Sequence, residues 1–339
     1  MSDFLHQRDL NEADPRIVCA ADDAYALPAA VAIRSAAERL APDRRLGVFL
    51  FDSGISESNR RRIESSLPKN RVALEWIPIK SSVIDDFPTH YYFSSAIYSR
   101  LLIPLLLPKN LDKVIYLDAD CVIEDDLCQL WSLPLENNLV MAVQDLCLPY
   151  FDNERAQVDL KIPHLHWLVN RPIENYEALE LDPLSPYFNT GLLLINVKAW
   201  RKESITKTCF DVLRLNRAHA WLPDQYALNI AVVGRWRRLA TRWNTQESVL
   251  MRLVASGQHS WPSDEIEAAI KQPAIVHYTG HSKPWNDFSV FRRGRTTRAD
   301  FFHRVRKRTA WTGVAWYWRL WIYSLRSVWE GLKMRMRRD

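Results

Sequence analysis

The stretch Lys113-Val114-Ile115-Tyr116-Leu117-Asp118-Ala119-Asp120-Cys121-Val122 changes character at its middle. Its first half is β-branched and aromatic, as in a strand buried on both faces, and it ends abruptly on two acids separated by one small residue. Ala119 lets the chain turn so that both carboxylates point at one spot. Two close anions repel unless a cation lies between them, so the pair has the chemistry of a hard divalent metal site. The ordinary alternative is a cap at Asp118 and a solvated Asp120.

The chain around this stretch repeats one rhythm. Arg16 to Ala21 is a strand ending at Asp22 and Asp23, Ala26 to Leu40 has helical spacing, and Leu46 to Phe51 is a second strand closed by Asp52. Glu57 to Leu67 follows as a surface helix and Val72 to Ile79 as a third strand. This alternation predicts a parallel sheet covered on both faces, with its ligand site at the carboxyl ends of the strands. Further on, Ser94 to Leu107 is expected to be a helix carrying Arg100, kinked or ended by Pro104. Leu139 to Val143, running toward Asp145, and Tyr187 to Asn196 are strands, and Pro223 to Val233 is a helix with Asp224 in its first turn. Ala274 to Tyr278 is a last strand running into Gly280. Pro149 to Pro186 is irregular and too long for a plain connection, which marks it as a substrate loop.

Composition narrows the class. The 339 residues are 47% hydrophobic and 25% charged, with five cysteines lacking any paired metal spacing, so they are expected to be reduced core thiols. The first fifteen residues hold no apolar segment of signal-peptide type, and no apolar run is long enough to span a bilayer. The net charge of +5 hides an asymmetry: from Arg292 onward fourteen basic side chains face three acidic ones, +11, which leaves −6 for the body. The division expected is a polar leader over 1–15, a catalytic body over 16–290 and a basic tail over 291–339. In the tail Trp311, Ala315, Trp318, Ile322, Leu325, Trp329 and Leu332 fall on one helical face flanked by Arg319, Arg326 and Lys333. That pattern suits an anionic membrane surface, with packing on the body or on a partner as the alternative. An acidic body argues against nucleic acid.

Polar groups gather where apolar segments end: Ala21, Asp23 and Tyr25; Asp118 and Asp120; Asn189 and Gly191; Asp224 and Gln225; and His277, Gly280 and Lys283. Two carboxylates plus an imidazole suit Mn2+ better than Ca2+. Gly280 admits backbone to an anion that Lys283 would neutralise. Taken singly, each has an ordinary role: a bulge at Asn189 and Gly191, a helix cap at Asp224, a core histidine at His277, a solvated charge at Arg100.

Six ordered segments, AADDAY, YSRL, YLDADCV, FNTGLLLIN, PDQYALN and HYTGHSKPW, resemble those of glycosyltransferase family 8, the group of bacterial lipopolysaccharide α-galactosyl- and α-glucosyltransferases and, more distantly, glycogenin. The resemblance runs from about Arg16 to Trp285. It implies a GT-A nucleotide-diphospho-sugar transferase fold and transfer of galactose or glucose from a UDP-sugar with retention. It further implies Asp118, Asp120 and His277 as ligands of Mn2+, with Mg2+ as a substitute. Ala21, Asp23 and Tyr25 would hold the uridine, Gly280 and Lys283 would contact the diphosphate, Arg100, Asp145, Asn189, Gly191 and Asp224 would grip the sugar, and Ala119 would also belong to the donor site. Gln225 would stand near the anomeric carbon, making Gln225, Asp224 and Asp145 the expected catalytic group. Ala24 departs from the asparagine often found there, which puts a ribose contact in doubt. The expected acceptor is a glycan, lipid-linked as in lipopolysaccharide core, and the expected location is the inner face of the cytoplasmic membrane. A catalytically silent nucleotide-sugar-binding scaffold and a transferase acting on itself or on another protein are the alternatives.

Overall fold

A computed structural model describes residues 5–79, 95–161, 170–256, 261–280, 283–286 and 298–313. Ten strands are present among the described residues: β1 (Arg16–Ala21), β2 (Leu46–Asp52), β3 (Val72–Pro78), β4 (Lys113–Asp118), β5 (Cys121–Ile123), β6 (Val140–Gln144), β7 (Phe188–Asn196), β8 (Trp236–Leu239), β9 (Thr245–Gln246) and β10 (Ile275–His277). The helices are α1 (Ala26–Arg39), α2 (Glu57–Ser66), α3 (Ile103–Leu106), α4 (Leu127–Trp131), α5 (Asn153–Asp159), α6 (Val197–Lys202), α7 (Ile205–Leu215), α8 (Pro223–Ala231), α9 (Glu247–Ser256), α10 (Ser263–Lys271) and α11 (Ala299–Arg306).

Seven strands form the central sheet in the order β3-β2-β1-β4-β7-β6-β8. Every neighbouring pair is parallel except the two that involve β7, so the sheet is mostly parallel and flanked by helices, as the alternating pattern predicts. Period-two alternation sorts the side chains to its faces. Ile17, Cys19, Ile115, Leu117, Leu192 and Leu194 pack under α1 and α2, while Val18, Val114, Tyr116, Leu193 and Ile195 pack on the other side with α7 and α8. The same alternation puts Tyr116 and Asp118 on one face of β4. The alanines of α1 are buried, which lets that helix lie close to the sheet. All five cysteines are free thiols.

The reversed strand β7 matters most for the site. Its pairing with β4 reaches Leu117 opposite Leu192, so the first residues of β7 arrive at the edge where the other strands end. Ala274 to Tyr278 does not join the main sheet: β10 lies between β5, antiparallel, and β9, parallel, in a second sheet of three strands. That small sheet opposes His277 to Cys121 and carries the imidazole to the Asp118/Asp120 turn.

Two expectations of helix are corrected. Ser95–Leu102 is a 3-10 helix, and only Ile103–Leu106 is α-helical. Pro104 has no N–H for the carbonyl of Arg100, which removes the i→i−4 bond that would have joined the two segments. Trp311 does not begin an amphipathic helix. It is buried against the body with Arg62 over its ring, and Gly313 follows at φ 95°. The stripe from Ala315 to Leu332 lies outside the described residues. The Pro149 to Pro186 segment contains α5 and a series of turns, and its residues 162–169 also lie outside the description.

Candidate active site at the sheet edge

Asp118 ends β4 and shares its face with Tyr116, whose hydroxyl donates to Asp118 Oδ1 at 2.7 Å. Arg100 donates to the same oxygen through Nη2 at 2.9 Å, to the Thr190 carbonyl through Nη1 at 2.8 Å, and pairs with Asp224 Oδ2 through Nε at 3.1 Å. Its guanidinium lies over the Tyr116 ring, 4.7 Å from the centroid. The 3-10 helix, β4, β7 and α8 therefore meet at one buried arginine, which the sequence presents as an ordinary helix charge.

Asp120 lies one turn further on. Lys283 Nζ donates to its Oδ2 at 2.6 Å, and His277 Nε2 stands 3.3 Å from its Oδ1 and 3.9 Å from Asp118 Oδ2. The tautomer of His277 follows from its other nitrogen. Nδ1 faces Asn244 Oδ1 at 2.9 Å, and the Asn244 amide nitrogen is committed to Asn189 Oδ1 at 2.8 Å, so Nδ1 carries the proton. Nε2 is the ring nitrogen that faces the two carboxylates. A cation held by Asp118 Oδ2, Asp120 Oδ1 and His277 Nε2 would have two hard oxygens and one imidazole as ligands, with Tyr116 and Asn244 as their outer hydrogen-bond partners.

The charges support the same reading. Burial pushes the Asp118 carboxyl up, Arg100 opposes that only in part, and the negative Asp120 adds to it. Burial also pushes Asp120 up, but Lys283 and His277 more than offset it and hold that carboxyl well below its usual range. One acid is thus short of positive charge, and a divalent cation would supply it to both. The sulfur of Cys121 also lies within 4.8 Å of ligand atoms of Asp120 and His277. Burial beside the two carboxylates pushes its thiol far up, so it remains a neutral S–H and is poorly matched to hard oxygen neighbours.

From His277 an amide chain leads to the other expected residues. Asn189 Oδ1 accepts from the Gly191 N–H at 2.9 Å, and its amide donates to Asp145 Oδ2 at 2.9 Å. Gln225 Nε2 reaches the same oxygen at 3.3 Å, while its Oε1 accepts from the Thr190 N–H at 3.1 Å. Thr190 Oγ1 donates to Asp224 Oδ2 at 3.1 Å. Asp145 Oδ1 caps the N–H groups of Cys147 and Leu148 at 2.7 and 2.9 Å. Asn229 ties α8 to β7, accepting from Phe188 N–H at 2.8 Å and donating to the Gln225 carbonyl at 2.9 Å.

The structure therefore joins Arg100, Asp118, Asp120, Asp145, Asn189, Gly191, Asp224, Gln225, His277 and Lys283 in one connected patch. Ala21 and Ala119 line the adjoining edge with buried side chains. Tyr25 is edge-on to Trp285 at 5.8 Å and lies within electrostatic reach of Lys283 and Asp120. Gly280 has left-handed backbone, φ 84°, shortly after β10. Asp23 stands apart from the hydrogen-bonded patch: its Oδ1 accepts from Ser56 N–H and Asn59 Nδ2, both at 2.8 Å, at the start of α2. Sequence reasoning missed Tyr116, Thr190, Asn229 and Asn244. A signal existed for the last, because Asn244, Thr245, Gln246 and Glu247 are four consecutive polar residues, all buried.

Gly191 has a steric reason. A Cβ there would lie 2.3 Å from His277 Cε1 and 2.6 Å from its Nδ1, against a ring already fixed by Asn244. Gly191→Ala should displace the imidazole and weaken Mn2+ binding about 10–100-fold, the scale at which outer partners tune metal sites. Calorimetric titration of Mn2+ reads this; an unchanged affinity would mean that His277 is not a ligand.

A family model described as Glycosyl transferase family 8 matches residues 16–289. General stress protein A of Bacillus subtilis is 26% identical over 290 residues, spanning 85% of this chain and 91% of that protein. Lipopolysaccharide 1,3-galactosyltransferase of Salmonella typhimurium is 24% identical over 277 residues, 81% of this chain and 72% of that one. The crystal structure of the galactosyltransferase LgtC in complex with donor and acceptor sugar analogs is similar with a TM-score of 0.70 at 25% identity, over 90% of this chain and 100% of that chain.

Proposed function

Taking as premise that the chain belongs to glycosyl transferase family 8, we propose that it moves galactose or glucose from a UDP-sugar to a glycan acceptor with retention of configuration. The observation that carries this reading is the position of His277 Nε2, 3.3 Å from Asp120 Oδ1 and 3.9 Å from Asp118 Oδ2, with Nδ1 held by Asn244. In it, Asp118, Asp120 and His277 hold Mn2+ or Mg2+, which when bound supplies Lewis-acid stabilisation of a departing diphosphate.

The chain's own groups would do the rest. Lys283 is a buried cation at the metal edge, raised above its usual range because Asp120 outweighs the burial, and it stands ready to neutralise the second charge of the diphosphate. Tyr25 and Asp23 flank the place for the uridine. Asp145, Asn189 and Asp224 are fixed acceptors and donors for sugar hydroxyls, and the negative charge of the two aspartates favours the cationic ring that develops as the C1–oxygen bond breaks.

Neither buried carboxylate on this side is well placed to attack carbon. Asp224 is bound by Arg100 and Thr190, and Asp145 takes hydrogen bonds from Asn189, Gln225 and two backbone N–H groups. Gln225 is a neutral amide. These bonds support a same-face displacement in which the acceptor oxygen bonds to C1 as the C1–phosphate bond breaks, the acceptor proton leaving with the phosphate. A trapped glycosyl-enzyme adduct would refute that route.

The acceptor class rests on the likeness to the lipopolysaccharide transferase and on the basic, tryptophan-rich stripe after Ala315. We propose a lipid-linked glycan, reached from the inner face of the cytoplasmic membrane through that stripe. Among the described residues no helix is long and apolar enough to cross a membrane.

The test is release of UDP by the purified protein from a panel of UDP-sugars, with and without Mn2+. Mn2+-dependent release from one sugar, stimulated by an oligosaccharide acceptor, supports the reading and names the hexose. If no sugar is turned over and UDP with Mn2+ does not raise the melting temperature, the donor-site reading fails.

A further inference from the structure

We infer that α11, which lies beyond the family match ending at residue 289, is part of the donor site, with Phe302 as a positioning residue that fixes Lys283 over Asp120. The inference deepens the donor-site reading above and rests on it.

Lys283 needs outside help to be fixed. It opens the turn that the Asn286 N–H closes onto its carbonyl at 3.0 Å, on a flexible four-carbon stem that loses about 2 kcal/mol of rotamer freedom when held. Among the described residues its ammonium has two acceptors, Asp120 Oδ2 and the carbonyl of Tyr278. The Trp285 ring adds a third contact, 5.8 Å from Nζ to the centroid. The lysine is therefore set by where Tyr278 and Trp285 stand, on either side of it in the chain.

Phe302 touches both. It is 1% exposed, perpendicular to Tyr278 at 6.2 Å and tilted against Trp285 at 5.1 Å, within the range of favourable aromatic pairs. The Tyr278 hydroxyl donates to the Arg298 carbonyl at 2.6 Å, just before α11 begins. Trp285 passes the order on to Tyr25, at the uridine end of the site.

The helix has an anchor of its own. Arg304 bonds both oxygens of Glu124 at 2.7 Å, and Arg308 pairs with Glu38 of α1. Arg306 Nη1 donates to the Trp311 carbonyl at 2.7 Å, closing the turn after the helix. The charged side of α11 is thus latched to the body, and its aromatic side clamps the lysine bend. A residue from the basic stretch supports the donor site, although no family motif includes it.

The experiment is a double-mutant cycle on the full chain, read by calorimetric titration with UDP in the presence of Mn2+. Phe302→Ala should weaken UDP binding about tenfold, within the range that contacts in one network reach in such cycles. In a Lys283→Ala background the same change should add less than about twofold, because the group it positions is gone. Phe302→Leu, which keeps the volume, should fall between and replaces alanine in the cycle if the alanine variant does not fold. Equal weakening in both backgrounds, or none in the otherwise native chain, overturns the inference. Failure of the native chain itself to bind UDP overturns the donor-site reading and this inference together.

Discussion

Asp120→Asn is expected to lower Mn2+-dependent UDP release more than about 100-fold while leaving the protein folded. The size follows from a comparison: partners one shell out from a metal are already worth about 10–100-fold, and a direct ligand is worth more. The amide is nearly isosteric, so packing around β4 and β5 is kept, but the oxygen nearest His277 Nε2 loses its charge. Lys283 also loses its ion-pair partner. Two readouts separate the effects. Initial rates of UDP release give the catalytic loss, and the rise in melting temperature with UDP and Mn2+ should vanish in the variant. Release at more than a tenth of the native rate would mean that Asp120 is not a metal ligand.

Arg100→Met is expected to destabilise the fold by about 3–5 kcal/mol, the cost of breaking a buried ion pair from one side. The guanidinium is buried and serves Asp118, Asp224 and the Thr190 carbonyl at once, as well as lying over Tyr116. Methionine fills much of the space but leaves two carboxylates without a counter-charge. Lysine should rescue little, because one ammonium cannot reproduce a planar fork that reaches three acceptors. The deficit relative to the native chain should shrink as pH falls from 7 toward 5. Burial already pushes the Asp118 carboxyl up against the pull of Arg100, so without the arginine it takes up a proton on acidification, which removes its buried charge. Urea denaturation across that range is the measurement. A loss below about 1 kcal/mol at pH 7 would mean that the arginine is a surface-like charge despite its burial.

Much of this was legible in the chain. The β-branched run into Asp118 and Asp120 placed a buried strand with acids at its end, and both are found there. Pro223 followed by Asp224 marked a helix start, and α8 begins at that proline. The alternation of strands and helices set the class of sheet, since each segment carries its own periodicity. What could not be read were relations between segments. Periodicity says that Phe188 to Asn196 is extended but not that it runs against its neighbours, and it is that reversal which brings Asn189, Thr190 and Gly191 to the acids. Ala274 to Tyr278 was visible as a strand, but its place in a separate small sheet depended on pairing with β5 and β9. The break at Pro104 was foreseen, whereas the 3-10 winding before it was not.

The sequence by itself determined the main strands of the sheet and the helices α1, α2 and α8, the chemistry available at the sheet edge and the family, because local propensity and ordered motifs are carried by residues close together in the chain. Only the tertiary structure decided which charges share one field. Lys283 meets Asp120 across 163 residues and Arg100 meets Thr190 across 90, and such pairs are selected by burial and hydrogen-bond geometry rather than by any local signal. The same holds for Phe302. In the sequence it is an apolar residue in a basic stretch, and its part in the site comes from a helix docked where the lysine bend needs a wall.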